Sequence, residues 1–122
     1  MVAWKESREF RIMISKLAEN FPSEEKYSLT AQIKRSSRSI TANIAEGYGR
    51  YHFQETMQFF RHSRGSLCET LDHLITALDE KYISSNEFEE VELKFSTVMK
   101  LINGYLAYLE KSKNKIQEIT QT

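Results

Sequence analysis

Proline is nearly missing from this 122-residue chain. It occurs once, at Pro22, and glycine occurs only four times. Both residues break helices and start turns, so their scarcity favours a few long helices. Cysteine is also scarce: the single thiol of Cys68 excludes an internal disulfide and suits a reduced, cytoplasmic chain. No apolar run approaches the ~20 residues needed to cross a bilayer, so no membrane role is expected. Lys5, Glu6, Arg8, Glu9 and Arg11 crowd the N-terminus, and a secretory signal is not expected there. A surplus of one charge is absent too, with 17 basic and 17 acidic residues.

That neutrality hides an uneven distribution. Residues 1–28 are balanced. Residues 29–65 carry six basic side chains (Lys34, Arg35, Arg38, Arg50, Arg61, Arg64) against Glu46 and Glu55. Residues 66–122 carry six basic side chains and ten acidic ones. Such asymmetry fits a nucleic-acid face, or one helix pair attracting another.

What is present is helical periodicity. With 40% apolar and 28% charged residues, the chain has the composition of one ordinary globular domain. Ala3, Ser7, Phe10, Ile14, Leu17 and Phe21 recur at steps of three and four and predict a helix over 3–20. Phe21-Pro22-Ser23 breaks it. Leu29, Ile33, Ser37, Ile40 and Ile44 predict a second helix over 29–46, with Ser28 as N-cap and Gly47 and Gly49 as the stop. Ser36 and Ser37 are small enough to let a neighbouring helix come close. Phe53, Met57, Phe60, Arg64, Leu67, Leu71, Leu74, Ile75 and Leu78 predict a third over 52–82. Ser84 and Glu87 match a capping box for a fourth over 85–112, striped by Phe88, Val91, Phe95, Val98, Met99, Ile102, Tyr105, Leu106 and Leu109. Residues 114–122 read as a polar tail after a domain of 1–113. Short connections make sequential helices antiparallel, which predicts an all-α, up-down-up-down four-helix bundle.

A di-iron bundle needs Glu-x-x-His elements, but Gly49, Phe59 and Thr70 stand three residues before His52, His62 and His73. No metal or other cofactor is expected. Glu69 and His73 read as an i,i+4 pair. Cys68, at the edge of the third stripe, reads as a buried structural cysteine. No nucleophile–base constellation or phosphate loop emerges, and an enzyme is not expected. Arg64 interrupts an apolar stripe and needs a partner if buried. Gln32, Asn43, Glu46 and Arg64 are therefore the candidate polar core, with Glu46 as Arg64's partner. Lys34, Arg35, Arg38, Arg50 and Arg61 are candidate phosphate contacts for RNA or DNA. Trp4 and Phe59 fall off their stripes and are candidate subunit contacts.

Several strings together carry a resemblance. Phe21-Pro22 is followed by Glu24-Glu25-x-Tyr27-x-Leu29-x-x-Gln32-x-x-Arg35. Ser39-Ile40-x-x-Asn43-Ile44-Ala45-Glu46-Gly47-x-x-Arg50 comes next, then Glu55, Phe59 and Gly65-Ser66-x-x-Glu69. With Trp4, these resemble the bacterial four-helix-bundle family whose founding members are encoded in intervening sequences of 23S rRNA genes. The resemblance implies an antiparallel bundle assembled as a homopentamer, with no established activity for most members. A related branch, the accessory variability determinant of diversity-generating retroelements, is basic, binds nucleic acid and partners a reverse transcriptase. This chain departs from that branch in its near-neutral charge. The expected function is a non-enzymatic oligomer acting as a nucleic-acid-binding accessory protein. The alternative is a protein-interaction scaffold with no nucleic-acid role.

Overall fold

A computed structural model describes residues 1–121 and contains four α-helices, with no strand among the described residues. Helix α1 spans Val2–Ala18, α2 Leu29–Tyr48, α3 Phe53–Asp79 and α4 Ser85–Gln121, with a 3-10 turn at Ser23–Glu25 between α1 and α2. Each helix packs on two neighbours: α1 on α2 and α4, and α3 on α2 and α4. Among the described residues the backbones of the diagonal pairs do not come close. This is the square, antiparallel four-helix bundle that the stripes predict. Phe10, Ile14, Ile33, Ile40, Ile44, Phe60, Leu67, Leu74, Val98 and Ile102 are fully buried at its centre. Each such side chain contributes about 1.5–3 kcal/mol on burial.

The helix ends follow local chemistry, and some depart from expectation. Ser84 and Glu87 form the capping box, with Glu87 N–H donating to Ser84 Oγ at 3.1 Å and Ser84 N–H to Glu87 Oε1 at 2.9 Å. Ser28 does not cap α2 through its own side chain. Its hydroxyl donates instead to Glu25 Oε1 at 2.5 Å, and that oxygen also accepts the Leu29 N–H at 3.4 Å. Helix α3 ends at Asp79, three residues early. Lys81 is left-handed at φ 64°, and Tyr82 N–H and Lys81 N–H bond back to Ala77 and Leu78 carbonyls. This is a Schellman closure with lysine where glycine is usual, so the sequence carries no signal for it.

Gly47 is a third departure. It does not stop α2 but lies inside it, buried, and no described glycine has positive φ. A Cβ there would stand 2.6 Å from Phe59 Cβ and 3.3 Å from the Thr56 carbonyl oxygen. The glycine lets α3 approach, rather than turning the chain. Helix α4 also outruns its expected end. Its 37 residues span about 55 Å, and Leu109 is its last buried side chain. The residues expected as a polar tail continue as exposed helix through Gln121, because nothing after Gly104 breaks it. Thr122 lies outside the described residues.

The polar interior differs from the candidate one. Arg64 is half-exposed, and its Nη1 donates to Asn103 Oδ1 at 2.8 Å, joining α3 to α4. Glu46 is exposed and pairs with Arg50, not Arg64. Gln32 is exposed and accepts from Arg35 Nε at 3.1 Å. Asn43 is half-buried and donates to the Ser39 carbonyl and hydroxyl within its own helix. Hydroxyls fill the interior instead. Ser63 Oγ donates to the Ile40 carbonyl at 2.8 Å, and Ser36 and Thr70 share a 2.8 Å bond between α2 and α3. Small hydroxyls at Ser63 and Thr70 carry the buried face of α3, one position from Arg64 and Leu71. That rotation also turns Cys68 outward, where it is exposed rather than buried.

Candidate nucleic-acid interface

Helix α2 presents its cations on two sides. Lys34 and Arg38 are four apart and share the side toward α1. Arg35 lies one residue round, toward α3. Arg50 follows just beyond the helix end.

Toward α3, every cation is matched. Arg35 pairs with Glu69, which also accepts from His73 Nε2 at 3.1 Å, the expected i,i+4 contact. Arg50 binds Glu46 at 2.5 Å and Glu55 at 3.2 Å, and its guanidinium lies 5.0 Å from the Phe59 ring centre. Phe59 is thus half-buried between Arg50 and Gly47, which gives it contacts within the subunit. Arg61 is exposed on α3, which does not border the α1 side of α2.

Toward α1, the cations are not matched. Lys34, Ser37 and Arg38 of α2 line a cleft with Arg11, Ile12 and Ser15 of α1. Among the described residues no carboxylate lines it. Arg11 Nη1 donates to Thr41 Oγ1 at 2.8 Å, which fixes the guanidinium at the cleft edge and ties α1 to α2. The acids of α1 that could neutralise the cleft lie on another face. Glu6 and Glu9 both bind Lys94 of α4. That clasp holds the Glu9 carboxyl below the usual range, chiefly through the Lys94 hydrogen bond, and raises the Lys94 ammonium. Three cations and the exposed Ser15 hydroxyl around an open cleft are suited to a phosphate group, while the buried Ser37 hydroxyl donates to the Lys34 carbonyl at 3.1 Å.

The structure therefore brings Lys34 and Arg38 together and separates Arg35, Arg50 and Arg61 from them. Sequence reasoning missed Arg11. Its signal was available: Trp4, Arg8, Arg11 and Ser15 recur at steps of four, three and four, so that face of α1 carries no acid between Trp4 and Ser15. Trp4 sits at the far end of the same face, 37% exposed.

Fold and site together define a helical bundle that offers a charged outer groove. No group of three or more His, Cys, Asp or Glu among the described residues is placed to hold a metal. No described helix is long and apolar enough to cross a membrane. Residues 1–104 match the family described as 23S rRNA-intervening sequence protein, and the chain belongs to that family. A crystal structure from Bacteroides thetaiotaomicron, of a protein with unknown function from the S23 ribosomal protein family, shares the fold. It is similar at a TM-score of 0.78 and 24% sequence identity, over 85% of this chain and 97% of that one. No curated protein matches the chain.

Proposed function

We propose that this chain is a non-enzymatic, oligomeric accessory protein of the cytoplasm that holds nucleic acid by its phosphates in the α1–α2 cleft. The observation that carries this reading is the set Arg11, Lys34 and Arg38 around a cleft with no carboxylate in its lining among the described residues. Ion pairs within the subunit use up Arg35 and Arg50, so the binding surface is narrower than the basic segment. The oligomer, five subunits by the resemblance, has apolar side chains to join it on the opposite side of the bundle. Ile75 of α3 is 41% exposed and Leu93 of α4 is 73% exposed. Assembly there would leave the cleft open and repeat it in every subunit.

The test is affinity for RNA and DNA as salt is raised, with native mass measured alongside. Binding should weaken linearly in log salt. Lys34→Ala with Arg38→Ala should flatten that slope by about two and leave the melting temperature unchanged. Arg11 is left intact because it also ties α1 to α2. Negligible affinity at low salt would refute the reading and leave the scaffold role, which the exposed Leu93 and Ile75 favour.

A further inference from the structure

The face that holds the cleft ends in two aromatic rings. On α2, Lys34, Arg38, Thr41, Ala45 and Tyr48 recur at steps of four, three, four and three, so they share one side. Trp4, Arg8, Arg11 and Ser15 do the same on α1. Beyond the cleft, Trp4 and Tyr48 border a depression with Met1, Ile44 and Ala45. Tyr48 is 60% exposed, and neither ring stacks on another ring or a cation among the described residues. Ten residues of helix separate Arg38 from Tyr48, about 15 Å. Arg8 lies one turn from both Trp4 and Arg11 and has no carboxylate partner among the described residues.

We propose that this strip is a track for single-stranded nucleic acid, an inference that rests on the nucleic-acid reading above. Arg11, Lys34 and Arg38 take backbone phosphates, Arg8 carries the backbone onward, and an unpaired base stacks on Trp4 and Tyr48. Ala45 lacks the bulk to fill the depression between the rings. Rings of this kind accept any unpaired base, because every base has a π-face, whereas the bases of a duplex are already stacked on each other. The arrangement therefore selects strand state rather than sequence.

Trp4 is the only tryptophan, so its emission reports on this site alone. The full chain is titrated with an oligouridylate and with an RNA duplex of equal length. The single strand should quench Trp4 emission, and the duplex should not. Tyr48→Ala should weaken single-strand affinity about tenfold or more while leaving duplex affinity and subunit number unchanged. Equal affinities with unmoved emission would overturn the stacking and spare the phosphate cleft. No affinity for either nucleic acid at low salt would overturn both. Dissociation of the oligomer by Tyr48→Ala would assign the rings to a subunit contact and end the proposal. Should that variant fail to fold, the emission of the unaltered chain still decides.

Discussion

The two sides of α2 carry the same kinds of residue and meet opposite fates. Toward α3, Arg35 and Arg50 find Glu69, Glu46 and Glu55. Toward α1, Lys34 and Arg38 find another cation and two serines. The difference comes from the neighbouring helices. Helix α3 supplies two of the three acids, whereas α1 turns Glu6 and Glu9 toward Lys94 on α4. Net charge over a segment therefore predicts a basic surface poorly; which helix lies alongside decides it. Packing differs in the same way. The α2–α3 side is closed by Gly47, Ser36, Ser63 and Thr70, and the α1–α2 side is open enough for a cleft.

The largest effect should come from filling the close approach on the α3 side. Gly47→Ala places a methyl 2.6 Å from Phe59 Cβ, and the interface must shift. Overpacking of this kind costs about 1–3 kcal/mol, which outweighs the helix propensity gained. Urea denaturation should show a clear fall in midpoint, and an unchanged midpoint would mean the two helices part easily. The same substitution at Gly65 should have the opposite sign. Apart from its chain neighbours and the local helix backbone, no described residue lies within 4 Å of a Cβ there, so Gly65→Ala should stabilise by up to about 1 kcal/mol. Loss of stability at Gly65, with unchanged subunit number, would contradict the open surface seen there.

Arg35→Ala should do less. The Arg35–Glu69 pair is well exposed, and pairs of that kind contribute about 0.2–1 kcal/mol. Its salt slope for nucleic acid should match the unaltered chain, in contrast to the Lys34 and Arg38 double variant. Equal flattening by Arg35→Ala would erase the distinction between the two sides of α2.

Much of the fold was legible because burial of large apolar groups dominates it. The stripes of α1 and α2, and the start of α4 at its capping box, stand where periodicity puts them. What was hidden depends on residues that carry little hydropathy. Ser63 and Thr70 are buried but polar, so hydropathy places the stripe on α3 one position away, through Arg64 and Leu71. That small rotation accounts for three differences together: Arg64 half-exposed, Cys68 exposed, and Glu46 free to bind Arg50. Gly47 resembles a helix stop in sequence, because close approach and chain reversal both call for glycine. At the candidate site, Lys34 and Arg38 were legible from their spacing. Arg11 was not legible in the same way, since its role exists only when α1 lies against α2.

The smallest effect is expected at the far end of the bundle, where the α1–α2 connection meets the α3–α4 one. Tyr82 Oη donates to Glu25 Oε2 at 2.9 Å, and the Tyr82 ring lies 5.7 Å from that of Phe21. The Glu25 bond, with some burial, pushes the Tyr82 phenol up to about 12 from its ordinary 10.0. Hydrogen bonds from Ser28, then Tyr82, then the Leu29 N–H hold the Glu25 carboxyl below its ordinary 4.5. A phenol with a raised folded value contributes stability fully below pH 10 and loses it as pH climbs toward 12. A carboxyl with a lowered folded value contributes above pH 4.5 and loses it as pH falls through the folded value. The advantage of the unaltered chain over Tyr82→Phe should therefore be level between pH 5 and pH 10 and shrink on the alkaline side up to about pH 12. Urea midpoints of the two proteins across that range measure it. A difference that stays constant to pH 12 would mean the two connections are not joined through this bond.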